Sequence, residues 1–410
     1  MQSFSAIDIG STKTVSVIAD FDERSGTRVV AVGLSACNGI KKGKVVDIDQ
    51  TANSVVNSVR QCEQMAGRKI SGVIVSVSGE HIIGQNSRGI IPIVPPGRTI
   101  TREDVNRVIN HSKQIALPAD RELIHALPRS FRVDGQDGIH RPFGMSGERL
   151  EVSTHLVSAQ INQIQNLERC VNRAQIEVDY VVFSPVASAL STLTQEEISS
   201  GVLLLDIGGG TTDIALYLNG ALEMTTVVPI GSKHVTSDIS QLLKTTIESA
   251  ENLKINQGLC TPDDIEDEEM VYVKQVGQQQ EKPFPKKVFS EIIHARMNEL
   301  FNLVKQTTSG WGVEQDVISR IVLTGGGSKI NGIQKLAEKV FNDTPTRVAS
   351  PENLGGLSDM IKGPEYATVV GLLKYGIRQR EQESVVAESG DWKRFLAPLR
   401  GLFSAKGRAE

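Results

Sequence analysis

The chain has 410 residues, too many for one small core and enough for two or three domains at roughly 150 residues each. Its 44 Lys and Arg against 48 Asp and Glu leave a net charge of -4, which excludes a globally basic nucleic-acid binder and a strongly acidic disordered chain. Cys37, Cys62, Cys170 and Cys260 show no CxxC spacing, which argues against structural zinc and a disulfide framework. The N-terminus MQSFSAIDIG has no basic n-region or long apolar run of a signal peptide. Apolar runs such as Val202–Leu205 fall far short of the ~20 residues that span a bilayer. A cytoplasmic chain that crosses no membrane is expected.

The elements follow in chain order. Residues 6–18, AIDIGSTKTVSVI, and residues 204–216, LLDIGGGTTDIAL, are both an apolar strand ending in Asp, an Ile-Gly, small polar residues and a second alternating strand. Asp8 matches Asp206 and Gly10 matches Gly208 at a constant offset of 198, which predicts two related domains rather than a solenoid. Further strands are expected at 29–34 and 222–228. Ala52, Val55, Val56, Val59 and Ala66 fall near helical spacing, with Asp49 as the expected N-cap. Residues 84–160 read as an inserted small subdomain of strand (89–94), helix (101–116), strand (122–133) and strand (150–158), the helix opened by a capping box at Thr101 and Asp104. Ile161, Ile164, Leu167, Val171 and Ala174 mark another helix, 180–183 a buried strand and 185–193 a helix. Strand–helix alternation in both halves argues α/β domains. The acid-rich stretch 262–287 reads as a surface loop.

Three turns carry chemistry. Ser11, Thr12 and Lys13 follow Gly10; Gly209, Gly210, Thr211 and Thr212 follow Gly208. Small residues there let backbone N–H groups approach an anion, and Lys13 adds a point charge for phosphate. Asp8 and Asp206, at the strand ends, are placed to hold Mg²⁺ through waters. The third turn, Gly325, Gly326, Gly327 and Ser328, follows a strand at 320–323 and precedes a helix, which suits contact with a sugar or base. One Gly-rich hairpin is most often only a turn; a spaced pair with matching Asp plus a third is a site.

As a set, these turns resemble the two phosphate motifs and the adenosine motif of the actin, sugar-kinase and heat-shock-chaperone ATPase superfamily. Phe183-Ser-Pro-Val-Ala-Ser-Ala-Leu190 and Tyr366-Ala-Thr-Val-Val-Gly-Leu372 look like its two connecting helices. The likeness covers about residues 5–376 and narrows to the FtsA family of bacterial cell-division proteins, whose extra small subdomain the 84–160 insert resembles. It implies an actin-like ATPase fold of two related α/β domains around a nucleotide cleft. The first domain would comprise 1–83 and 161–197, the second 198–376 with a peptide-binding subdomain at about 235–310. It also implies ATP with Mg²⁺, and Glu251 and Lys254, three apart on one helix face, on ribose and base. One position departs: chaperone relatives often begin the first connecting helix Glu-Pro, and Ser184 stands here. Without that carboxylate a water is poorly positioned for phosphoryl transfer, so at most weak ATP hydrolysis is expected.

Residues 377–391 are polar and acidic without an apolar period and read as a flexible linker. In 392–410, Trp392, Phe395, Leu396, Leu399, Leu402 and Phe403 share one helical face, with Lys393, Arg394 and Arg400 away from its centre. That pattern is an interfacial membrane helix favouring anionic lipids, with Pro398 predicting a kink. This tail is +4 and the remaining 391 residues -8. The resemblance further implies tethering of FtsZ, through its C-terminal peptide, to the cytoplasmic face of the inner membrane at the division site. Self-assembly into filaments and contacts with later division proteins through the insert are also implied. Lys286, Lys287 and Arg296 are the candidates for a basic peptide groove, against the plainer reading of a solvated helix face. A pilus-assembly relative, which shares the insert but is not expected to carry this tail, is one alternative. A small-molecule kinase is the other, and no catalytic base for it is identifiable.

Overall fold

The computed structural model describes residues 2–388 except 314 and 353. Alternating apolar residues build β1 (Gln2–Ile9), β2 (Lys13–Asp22) and β3 (Gly26–Ala36). α1 (Ile48–Ala66) and β4 (Gly72–Val77) follow. The insert supplies β5 (Ile83–Pro92), α2 (Arg102–Ser112), β6 (Arg121–Val133), β7 (Gln136–Ile139) and β8 (Arg149–Gln160). The chain returns through α3 (Ile161–Asn172), β9 (Glu177–Phe183) and α4 (Ser184–Thr192). The second half contains β10 (Val202–Ile207), β11 (Thr212–Leu218), β12 (Ala221–Val228), α5 (Ser232–Leu242) and α6 (Ile247–Gln257). It continues with β13 (Met270–Val273), β14 (Lys282–Pro285), α7 (Lys286–Ser309), β15 (Arg320–Thr324), α8 (Ile333–Val340), β16 (Thr346–Val348) and α9 (Ala367–Glu388).

The repeat seen in sequence is a repeat of topology. The first sheet runs β9-β4-β1-β2-β3, with the short strand Gly355–Gly356 of the second half added beside β3, and the second runs β16-β15-β10-β11-β12. In both, the hairpin is antiparallel and closes at the same place, Ile9 opposite Thr14 and Ile207 opposite Thr212. In both, the hairpin's first strand lies parallel to the next strand inward, β4 or β15. The fold class expected from sequence is thus observed: two related α/β halves plus an inserted antiparallel sheet, ordered β5-β8-β6-β7.

The connecting helices α4 and α9 tie the halves together. Val186, Ala187 and Ala189 of α4 and Val369, Val370, Leu372 and Leu373 of α9 share one core with strands of both sheets. Small residues permit the close crossing: a Cβ on Gly371 would run into the Ala187 carbonyl. The insert keeps its own small core under α2. There the predicted capping box is present: Asp104 N–H donates to Thr101 Oγ1 at 3.3 Å and Thr101 N–H to Asp104 Oδ2 at 2.9 Å. Arg98 grips the same carboxylate at 2.6 and 2.8 Å and holds its pKa well below the usual carboxylate range. The insert also leans on the second half, where His155 Nε2 meets Thr225 Oγ1 at 2.9 Å and Arg129 pairs with Glu223.

Four expectations change. The N-cap of α1 is Asp47, which accepts from Gln50 N–H at 2.9 Å, rather than Asp49. α2 ends at Ser112, four residues early. The 262–287 loop contains the β13–β14 hairpin. Residues 377–388 extend α9 instead of forming a flexible linker, because Ile377 is still buried against the first core; 389–391 lie outside the described residues, as does the whole of 392–410, where a membrane helix is expected. No described helix is long and apolar enough to cross a membrane.

Gly371→Ala should force the two connecting helices apart. Overpacking of this kind costs about 1–3 kcal/mol, so a thermal midpoint several degrees below wild type is expected by calorimetry; an unchanged midpoint would show that the crossing yields freely.

Candidate functional site

The two hairpin turns face each other across a cleft of about 410 Å³. Each is closed by the same backbone bond: Gly10 N–H to the Lys13 carbonyl at 3.0 Å and Gly208 N–H to the Thr211 carbonyl at 2.9 Å. They nearly touch. A Cβ on Gly209 would lie 2.5 Å from Thr12 Cγ2, and one on Gly210 2.7 Å from Ser11 Oγ, so side chains here would close the space an anion needs. Lys233, on α5, crosses from the second half and donates to the Ser11 carbonyl.

Three carboxylates lie beneath the turns. Asp8 Oδ1 accepts from Ser76 Oγ at 2.6 Å. Asp206 Oδ2 accepts from Ser188 Oγ and, at 3.1 Å, from Thr368 Oγ1, one hydroxyl from each connecting helix. Asp213 accepts from Ser78 Oγ of the opposite half. Burial raises all three pKa values: Asp206 rises to about 6 from burial and then the Asp8 charge, and Asp213 rises well above the carboxylate range from burial and then Asp206. A site that resists its own negative charge in this way is suited to a cation. Among the described residues no three acidic, His or Cys side chains converge closely enough to chelate a metal directly. Mg²⁺ fits that arrangement, since it keeps several waters and rests on carboxylates through them.

Lys13 projects over the ring of Tyr366, 3.8 Å from its centroid. Burial lowers its pKa, while Glu365 and Asp8 hold it up; Glu365 is itself paired with Lys329 at 2.8 Å. The third turn is pressed against β10: Gly325, at φ +80°, leaves no room for a Cβ beside Asp206 and Ile207. Ser184, at the position where a chaperone-like carboxylate is missing, donates to the Val77 carbonyl at 3.1 Å.

Of the residues proposed from sequence, Asp8, Gly10, Ser11, Thr12, Lys13, Asp206, Gly208, Gly209, Thr211, Glu251, Lys254, Gly325 and Gly326 line this one cleft. Gly210, Thr212, Gly327 and Ser328 do not. Thr212 Oγ1 donates to the Ile230 carbonyl, past the end of β12, at 2.8 Å, and Ser328 Oγ to the Gly325 carbonyl of its own turn at 2.7 Å. Lys254 is buried and directs its ammonium to the Ser232 carbonyl, Thr236 Oγ1 and Glu251 Oε2 at 3.3, 2.9 and 2.7 Å, which makes it a strut of the cleft wall.

Each of the three cations expected to form a basic groove has an acidic partner of its own. Arg296 binds Asp238 at 2.6 and 2.9 Å and Glu299 at 2.6 Å. Lys286 pairs with Glu269 at 2.6 Å and Lys287 with Asp267 at 2.9 Å. The acidic segment before β13 folds back beside the start of α7, so local acids answer all three cations. Missed from sequence were Asp213, Ser76, Ser78, Ser188, Thr368 and Tyr366. Asp213 was legible as a charged residue inside an otherwise apolar strand, directly opposite Asp206 in register.

Comparison with known proteins places the chain. The profile described as "Cell division protein FtsA" matches residues 203–371, and "SHS2 domain inserted in FTSA" matches 79–158. The Pseudomonas aeruginosa cell division protein FtsA is 37% identical over 94% of this chain and 91% of that protein. The Borreliella burgdorferi FtsA is 37% identical over 97% of both, and the Escherichia coli K12 FtsA 33% over 97% of both. The chain belongs to the FtsA family. Its fold is also that of a PilM–PilN type IV pilus biogenesis complex chain, at TM-score 0.65 and 17% identity over 91% of this chain and 98% of that one. Spiroplasma citri MreB5 bound to ADP matches at TM-score 0.55 and 12% identity, over 94% of this chain and 98% of that one. The FtsA insert and the actin-like ATPase architecture expected from sequence are therefore both present.

The raised pKa of Asp206 sets a pH dependence. Between 3.8 and about 6 the folded protein binds more protons than the unfolded chain, so stability falls as pH rises through that window and stays lower above it. The shift corresponds to about 3 kcal/mol. Ligand-free Asp206→Asn should melt higher than wild type at pH 7.5, with the gap closing toward pH 4, when melting is followed from pH 4 to 8.

Proposed function

We propose that this protein binds ATP with Mg²⁺ in the cleft and acts as an actin-like cell-division scaffold that holds FtsZ filaments on the cytoplasmic face of the inner membrane. The observation that carries the reading is the pair of equivalent turns closing over three desolvated carboxylates in a chain whose FtsA relatives match almost end to end. MreB5, which shares the fold, binds ADP; the same use of the cleft is proposed here.

The phosphates would lie between the turns after Gly10 and Gly208, with Lys13 supplying charge. Mg²⁺, when bound, would neutralise the phosphates. Asp8 and Asp206, joined by Asp213, would hold its waters, their hydroxyl partners fixing each carboxylate from both halves and both connecting helices. Glu251 at the cleft wall would face the ribose, with Lys254 holding Glu251 in place. The Gly325–Gly326 backbone would face the base. Ser184 gives no carboxylate near the phosphates, so nucleotide acts mainly as a conformational ligand and hydrolysis is slow. The FtsZ C-terminal peptide would dock on the second half near Arg296, Lys286 and Lys287, its acids exchanging with Asp238, Glu269 and Asp267. Residues 392–410 would lie on anionic lipid, protomers would self-assemble, and the insert would meet the neighbouring protomer or later division proteins. Identity of 33–37% to FtsA proteins against 17% to the pilus chain favours this reading over a pilus-assembly role.

Full-length protein should bring FtsZ down with anionic liposomes, and protein lacking 392–410 should leave both in the supernatant; equal pelleting of FtsZ by the two forms would overturn the tether. Lys13→Ala should weaken Mg²⁺-ATP binding by about tenfold or more, as expected for losing a charged hydrogen bond of about 1.5–3 kcal/mol, measured by calorimetry. Phosphate release should stay far below the ~10 s⁻¹ of a typical enzyme; turnover at that level would contradict the conformational role.

A further inference from the structure

The turn after β4, Ser78-Gly-Glu-His81, occupies in the first half the place that the Gly-rich turn after β15 occupies in the second, since β4 and β15 are equivalent neighbours of β1 and β10. His81 is 3% exposed, and neither ring nitrogen has a hydrogen-bond partner among the described residues. Leaving one buried polar group unmet costs about 1–3 kcal/mol, so a ring with two needs an explanation. His81 lines the cleft cavity. So does Gln163 of α3, whose Oε1 is buried and equally without a partner. Ile40, Val45 and Leu167 give this side of the cavity apolar walls.

The backbone is built around the histidine. Gly79, at φ +133°, would place a Cβ 2.8 Å from His81 Nδ1, and a Cβ on Gly43, at φ +73°, would strike Ser78 and Gly79. The charges facing the ring are mostly basic: Arg121 donates to the His81 carbonyl at 2.8 Å, and Lys44 stands nearby, 3.7 Å from Glu80. Burial first, then Lys44 and Arg121, lower the His81 pKa to about 4. The ring is therefore neutral, with one N–H to give and one lone pair to fill, and the Gln163 oxygen that lines the same cavity also needs a proton donor. A carboxylate offers acceptors only. Monohydrogen phosphate offers oxyanion oxygens for the N–H, a P–OH for an unmet acceptor, and the negative charge that the flanking cations favour.

We propose that His81 and Gln163, which line the cleft cavity together, form a second phosphate site that holds inorganic phosphate. The same cavity is lined by the turns assigned above to nucleotide phosphates, and the supply of phosphate from ATP rests on that reading. Ser78, in the same turn as His81, donates to Asp213 across the cleft, so an occupant of the site would sit beside a contact between the two halves.

The test uses full-length protein labelled with ¹⁵N-histidine, the His81 ring signals assigned by loss in His81→Leu. Inorganic phosphate, titrated at constant ionic strength against chloride, should shift the His81 ring signals saturably. His81→Leu and Gln163→Leu should each weaken phosphate binding at least tenfold in calorimetry and alter Mg²⁺-ADP binding less than twofold. Phosphate generated from ATP in the cleft should produce the same His81 signal as added phosphate. A ring signal that does not respond to phosphate, or variants that bind phosphate as wild type does, would overturn the site and leave ordered water as the occupant. If only one variant folds, as judged by melting, the other decides. Mg²⁺-ADP binding without a phosphate response would defeat this site alone, whereas failure to bind Mg²⁺-ADP would defeat the nucleotide reading.

Discussion

Three carboxylates out of water are the constraint around which this molecule is arranged. Asp8, Asp206 and Asp213 stand at the ends of β1, β10 and the start of β11, and burial drives their pKa values upward. An uncompensated buried charge is expensive, and here each carboxylate is met by a hydroxyl: Ser76 from β4, Ser188 from α4, Thr368 from α9 and Ser78 from the turn after β4. Those hydroxyls come from both halves and from both connecting helices. A change of charge in the cleft therefore acts on both connecting helices.

The internal repeat explains why the cleft lies where it does. Two sheets of the same strand order, each with a hairpin closing at the same register, put equivalent turns at equivalent strand ends. The connecting helices cross at Gly371 and Ala187 and bring those ends face to face. Close packing of small residues makes the crossing stiff.

Much of this was legible in the residues. The hairpin pair and the capping box at Thr101 and Asp104 depend on neighbours in the chain and are present as expected; the insert has the expected strands and helix plus the unforeseen β7. Boundaries were less legible. Asp47 rather than Asp49 caps α1, and α9 continues past Ile377 because the first core still covers that residue. Lys286, Lys287 and Arg296 looked like a free basic patch, since nothing local reveals that the acids at 267, 269 and 238 lie beside them. Lys254 lines the cleft as expected, but nothing local reveals that Ser232 and Thr236 also hold its ammonium.

By itself the sequence determined the two Asp-Ile-Gly turns, the third Gly-rich turn, their strand and helix neighbours, and the division of charge between an acidic body and a basic tail. These rest on φ freedom, hydrogen bonds within a few residues and side-chain periodicity, all carried by the local chain. Only the tertiary structure decided which turn faces which, which carboxylate is held by which hydroxyl, which cations are already answered, and that His81 and Gln163 share one unmet cavity. Those depend on desolvation and on contacts between residues as far as 222 positions apart, as between Lys233 and Ser11, and no local pattern encodes the distance between such groups.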